Sequence, residues 1–219
     1  MKRIGYGLAV GLLVAAAPAA AGVANRFSLK LTPGGVTAVD GRFNDAAKTS
    51  AVVNVGAGLA AAVRYRFNDF VCLEAGYGFA WLSVKKDQRP FDYKEGSPAL
   101  NIQTATLNAT VFLSSGFAID PYLTAGLGVY PWRFSRTALW GDAWPAPSKP
   151  SESFGAVSPG FNAGIGAEAY LFGRVYASAE LKYHFLFARN PAKFGTDDFT
   201  QQDFAALTIG LVYRFGRVR

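Results

Sequence analysis

In VYASAELKYHFLF (residues 175–187) the side chains separate by parity. Val175, Ala177, Ala179, Leu181, Tyr183, Phe185 and Phe187 fall on one face; Tyr176, Ser178, Glu180, Lys182 and His184 fall on the other. Period-two alternation of this length is the signature of a β-strand with one apolar face. Seven further segments repeat the pattern. Asn54–Phe67 sets Val55, Leu59, Val63 and Phe67 against Gly56, Gly58, Arg64 and Arg66. The next sets Val71, Leu73, Tyr77, Phe79 and Trp81 against Cys72, Glu74, Gly76 and Gly78. Leu107, Val111 and Leu113 oppose Thr106, Asn108 and Thr110, and Leu123, Leu127 and Val129 oppose Thr124, Gly126 and Gly128. Phe161, Ile165 and Leu171 oppose Asn162, Gly164, Gly166 and Glu168, and Leu207, Ile209, Leu211 and Tyr213 oppose Thr208, Gly210 and Arg214. A shorter first segment sets Phe27, Leu29 and Leu31 against Ser28, Lys30 and Thr32; Pro33-Gly34-Gly35 after it predicts a bulge or bend.

Every charge inside these runs lies opposite the apolar face. A soluble sandwich turns its apolar face inward and wets the other; a membrane barrel turns the apolar face to lipid and fills its lumen with the polar one. Three features favour the membrane. The runs reach about ten residues, the length a tilted strand needs to cross hydrocarbon. The polar face is rich in glycine, which suits a narrow interior. Aromatics gather at strand ends, with Phe27, Tyr65, Phe67, Tyr213 and Phe215 predicted for one interfacial girdle and Trp81, Tyr130, Trp132 and Phe187 for the other. Connections alternate between short ones, at Asn68-Asp69, around Ser114–Ala118 and at Gly173-Arg174, and long polar ones at about 40–50, 85–98, 135–154 and 189–203. The expected fold is all-β, an eight-stranded antiparallel up-and-down transmembrane β-barrel, with both chain ends and the short turns periplasmic.

The first residues carry an address. Lys2 and Arg3 precede the apolar run IGYGLAVGLLVAAAP and the small-residue stretch AAAGVA, the plan of a secretory signal peptide. Cleavage is expected after Ala21, with Ala24 the second choice, leaving residues 22–219 as one barrel domain. The apolar run stops at Pro18, short of the ~20 residues a membrane anchor needs. Of the formal net charge of +7, residues 1–21 contribute two positive charges. The remaining basic residues are scattered, and an exported chain meets no nucleic acid. Outer-membrane lipid and lipopolysaccharide phosphates are the anionic neighbours expected instead. Cys72 is the only cysteine, so no intramolecular disulfide forms, and one histidine beside one cysteine argues against a multi-ligand metal site. No cofactor is expected.

Eight strands enclose a lumen that side chains can fill. Its inward face carries Lys30, Arg64, Arg66, Lys182 and Arg214 against Glu74, Glu168 and Glu180, with His184 nearer the outer end. Counting depth along the strands places Lys30, Arg64, Glu74, Glu168 and Arg214 in the periplasmic half. Unpaired buried charges are costly, so these predict an ion-paired network across the lower barrel. Its functional reading is a gate or ion path; its simpler reading is a polar core.

The stretches PYLTAGLGVYPW (121–132), FNAGIGAEAYLF (161–172), ASAELKYHFLF (177–187) and ALTIGLVYRF (206–215) resemble the small outer-membrane β-barrel superfamily, which includes OmpA/OmpX-type, OmpW-like and opacity-type barrels. The resemblance spans the mature chain and implies the fold more sharply than the function. No appended periplasmic peptidoglycan-binding domain of the sort OmpA-type proteins carry is expected here. One departure is the ending, where Gly-Arg-Val-Arg follows Phe215 in place of a terminal aromatic residue. Some barrels of this size are lipid A-modifying enzymes with a His/Ser/Glu constellation facing lipid. Here parity puts His184 in the lumen, and its neighbour two residues on is Leu186, so no catalytic residue is assigned.

The function expected is therefore that of a non-enzymatic, monomeric barrel with a structural or surface-interaction role through four external loops, where an extracellular ligand or surface would bind. Trp140 and Trp144 lie in one of these loops. The alternative is a narrow channel or small-ligand binder using the upper lumen around Tyr130, Trp132 and His184.

Overall fold

The computed structural model describes residues 26–44, 47–85, 99–114, 117–134, 155–188 and 201–215. The expected signal peptide, Trp140, Trp144 and most of three long connections lie outside them. Eight strands form the wall: β1 (Phe27–Asn44), β2 (Gly56–Arg66), β3 (Val71–Ser83), β4 (Ala99–Phe112), β5 (Ile119–Phe134), β6 (Gly155–Phe172), β7 (Val175–Phe187) and β8 (Gln201–Arg214). Each pairs antiparallel with its sequence neighbour, and β1 pairs with β8 to close the sheet. No sheet edge is left along the wall, which is the condition for crossing hydrocarbon with strands.

The closure has a measurable stagger. From Ser28 the register runs through Arg64, Glu74, Asn108, Gly126, Asn162, His184 and Phe204, and returns to β1 at Ala38, ten residues further along. With standard rise and strand spacing, a shear of that size tilts eight strands by about 40°. Strands of 11 to 18 residues at this tilt are long enough to span the apolar layer.

Parity decides which side chains meet lipid. Leu127 is 71% exposed and Ile209 65%, whereas the inward Tyr122 and Glu168 are each 1% exposed. The short turns are locally specified. The Asn68 side-chain oxygen accepts the amides of Phe70 and Val71 at 2.9 and 2.8 Å, an Asx-type reversal between β2 and β3. Gly173 adopts φ +55° in the two-residue turn between β6 and β7, a conformation glycine enters without a Cβ penalty.

Three details differ from the sequence expectation. The Pro33-Gly34-Gly35 segment carries no bulge: β1 continues through it in unbroken register with β2. Pro33 lacks an N–H, and the β1–β8 ladder shows no partner for Thr32 or Pro33, yet it resumes in the same register at Gly34↔Thr208. The irregularity lies higher, between Ala38 and Asp40. The connection placed at about 40–50 is also structured. β1 continues to Asn44, and a two-residue strand at Ala47–Lys48 and one helical turn at Thr49–Val52 fold back over the barrel. Finally, Tyr130 and Trp132 are not in the outer girdle. They point inward and are 0% and 6% exposed, while Trp81 and Phe187 do face outward at 54% each.

Candidate functional site

The lumen contains two layers of opposite character. In the half nearer the short turns, Arg64 and Glu74 are directly cross-strand partners on β2 and β3, so their side chains emerge side by side. The Arg64 Nε donates to Glu74 at 2.5 Å, and its Nη1 reaches across the lumen to Glu168 on β6. Glu168 also accepts from Arg214 Nη2 at 2.7 Å. On the other side Lys30 Nζ reaches Glu180 at 2.8 Å and Glu74 at 3.9 Å, and Lys182 Nζ reaches Glu180 at 2.9 Å and Glu74 at 3.5 Å. Seven charged groups from β1, β2, β3, β6, β7 and β8 thus join one network. The carboxylates are 1–6% exposed, and Lys30 and Arg64 only 3% and 2%. Charges this dry are tolerated only when paired and hydrogen-bonded.

The hub of the network is a residue that parity alone could have flagged. Tyr122 alternates with Leu123 and therefore faces inward, yet it carries no charge to draw attention. Its hydroxyl donates to Glu180 at 3.0 Å, accepts from Lys30 at 3.2 Å and lies 3.3 Å from Ser178 Oγ. Asn108 adds a donor to Glu74 at 3.1 Å. The ring has space because Gly166 lies beneath it: a Cβ there would come within 2.4 Å of Tyr122 Cζ. Glycine on this face is therefore a packing requirement, since the large inward rings on β5 lie over the bare backbone of β6.

Two of the nine charged or titratable lumen residues stand apart. Arg66 stacks its guanidinium 4.4 Å from the Phe112 ring centre and makes no ion pair among the described residues. His184 lies higher in the barrel, where its Nδ1 meets the Tyr130 hydroxyl at 3.2 Å with the rings edge to face. Ser178 belongs to the lower layer through Tyr122, so His184 and Ser178 are not partners.

Above the ion pairs lies a cavity of ≈ 90 Å³, floored by Lys30, Lys182 and Glu180 and bounded above by Tyr130, His184 and Phe204. Above that, the interior turns apolar. Leu82, Val84, Leu100, Ile102, Trp132, Phe134, Leu186 and Phe204 pack together and enclose Val52 and Val53 from the helical turn. That turn is held in place. Thr49 donates to Gln202 at 2.5 Å, Asn54 N donates to Ser83 O at 2.8 Å, and Lys85 Nζ reaches Ser50 O at 3.0 Å. Trp132 Nε1 finds Ser158 Oγ at 3.0 Å, so the buried indole is satisfied.

The comparisons agree with this architecture. A family model described as "Outer membrane protein beta-barrel domain" matches residues 7–215. No curated protein matches the sequence. Among solved structures, Neisserial surface protein A superposes with a TM-score of 0.57 at 14% identity, covering 86% of this chain and 97% of that one. The outer membrane protein OprG of Pseudomonas aeruginosa gives a TM-score of 0.52 at 18% identity, covering 88% and 97%. At such identities the structural likeness carries the fold alone. The family match and the closed, lipid-faced barrel lead to one conclusion: the chain belongs to the outer membrane protein β-barrel domain family and resides in the bacterial outer membrane.

Proposed function

We propose that the protein is a closed, non-enzymatic barrel that supports the outer membrane and acts through surface contacts of its external loops. The observation behind this reading is a lumen occupied twice, by ion pairs below and by an apolar cluster with its own helical turn above. A general porin leaves an aqueous path, and eight strands leave little room for one. The charged lumen residues act here as a polar core that fills the lower barrel. Catalysis of the lipid A-modifying kind is disfavoured because the histidine faces Tyr130 inside the wall and has no serine partner among the described residues. Closure through β1 and β8 supports a monomer, since no strand edge invites a second chain. The loop lysines and arginines are suited to lipopolysaccharide phosphates as point charges and forks. Residues 1–21 are proposed to leave as the signal peptide, which N-terminal sequencing of exported protein would read directly.

Planar-bilayer recording of the refolded protein tests the closed barrel. Only brief or subconductance events are expected; steady nanosiemens-scale opening would favour the channel reading, with the central cavity as the middle of the path. Mass spectrometry of lipid A from expressing cells tests the enzymatic alternative, and any change in acylation would reinstate it.

A further inference from the structure

The charges of the lumen do not balance layer by layer. Around the cavity floor, Lys30 and Lys182 face Glu74 and Glu180, two cations against two carboxylates. Beneath them Arg64 and Arg214 share Glu168, Arg64 also pairs with Glu74, and Arg66 adds a third guanidinium on the same face, so five cations of the lumen meet three glutamates. Asp120 faces the same end from β5, but its carboxylate accepts the Phe117 amide of its own turn at 3.3 Å. Even with Asp120 counted, the lumen holds five cations against four carboxylates. Among the described residues the buried Arg64 Nη2 has no hydrogen-bond partner and Arg66 makes no ion pair.

These groups sit at the opening toward the short turns. β2 ends on Arg66 and β8 ends on Arg214. Arg64 and Arg214 both register against Ser28, one on each side of β1, so the cations come from neighbouring strands. Their planes are held by aromatic rings, Arg66 over Phe112 at 4.4 Å and Arg214 over Tyr176 at 3.6 Å. Stacking fixes a guanidinium plane and leaves its N–H edge free for a fork-shaped contact. Arg26 and Arg174, beside the first strand and in the β6–β7 turn, add positive charge on the same rim.

We propose that this arginine-lined periplasmic mouth binds a phosphate oxyanion, with Arg66 as its principal ligand and Arg214 beside it. A tetrahedral phosphate offers more acceptor oxygens than a carboxylate and a charge that offsets the surplus. It comes either from a phospholipid headgroup of the inner leaflet or from a free phosphate in the periplasm. The site is independent of the external loops.

The test uses the mature chain refolded in a non-ionic maltoside, which carries no phosphate. Inorganic phosphate is titrated calorimetrically at constant ionic strength, with chloride as the control titrant. Saturable phosphate binding is expected, weakened roughly tenfold or more in Arg66→Gln, as befits loss of a charged hydrogen-bond pair. Arg66→Lys keeps the charge without the fork and should fall between them. Arg133→Gln, at an exposed arginine on the opposite rim, should bind like the wild type. Heat-modifiable gel migration establishes that each variant is folded, and Arg66 has no ion pair among the described residues to break. The same titration in phosphatidylglycerol vesicles separates the sources: signal lost there but present in maltoside assigns the site to a headgroup, and signal in both assigns it to free phosphate. Phosphate heats equal to those of chloride in maltoside would overturn the proposal, as would Arg66→Gln binding like the wild type.

Discussion

The lower and upper halves of the lumen solve the same packing problem in opposite ways. Both must fill a tube walled by eight strands. Below, long charged side chains meet across the axis and are held by geometry: Arg64 bridges Glu74 and Glu168, and Tyr122 joins Lys30 to Glu180. Above, aliphatic and aromatic side chains fill the tube by shape, helped by a folded-in helical turn. A buried ion pair contributes little net stability over an apolar pair of the same size, but losing one partner is severe. An apolar cluster loses stability more gradually, in proportion to the volume removed. The lower half should therefore be brittle and the upper half graded.

The largest effect expected is from Glu168→Ala, which leaves Arg64 and Arg214 without their shared carboxylate. It should lower unfolding stability by about 3–5 kcal/mol, read as the urea midpoint of heat-modifiable migration in detergent. A loss below about 1 kcal/mol would break the contrast, because it would mean that water already serves these arginines. Leu82→Ala in the upper cluster, where the side chain is 0% exposed, should lose about 2–5 kcal/mol. Its companion Leu82→Met should lose under about 1.5 kcal/mol, and that gradation is what separates packing by shape from pairing by charge.

How far these halves were legible in advance follows from the same contrast. The lower half lies where strict alternation holds, so Lys30, Arg64, Glu74, Glu168, Glu180, Lys182 and Arg214 could be placed inward by parity alone. What parity could not supply was reach. Arg66, two residues from Arg64 on the same face, stacks on Phe112 instead of joining the pairs. The upper half was misread because alternation fades there: Ala80-Trp81-Leu82 and Leu186-Phe187-Ala188 are apolar on both faces. Proximity to a strand end suggests the girdle for Tyr130 and Trp132, whereas their even numbers on β5 match the inward Tyr122 and agree with the upper-lumen position of the alternative reading. A strand end that is apolar on both faces signals a filled lumen behind a lipid wall. Pro33 misled for another reason. A proline in a strand interior usually marks an irregularity, but here the ladder passes over it without losing register.

Smaller changes sharpen the comparison. Gly166→Ala places a methyl group against the Tyr122 ring and should destabilise by about 1–3 kcal/mol, with Tyr122→Phe in the same chain recovering little because the ring itself remains. The smallest expected effect is that of Tyr130→Phe, at the boundary between the halves, which removes the hydroxyl facing His184 and should cost about 1 kcal/mol. Both are read from the same urea midpoints.

The pairing of β1 with β8 has a consequence for how the protein is made. The seam joins the first strand to the last, and the amide of Phe215 donates to the carbonyl of Phe27 at 2.9 Å. A nascent chain lacking β8 has two sheet edges whose backbone groups have nowhere to bond within hydrocarbon. Insertion and circle completion must therefore be nearly concerted, and they wait on the final fourteen-residue strand. The adjacency of the two ends also makes the molecule a natural subject for circular permutation: joined at the periplasmic rim and reopened within an outer connection, the same eight strands would meet in the same order around the ring.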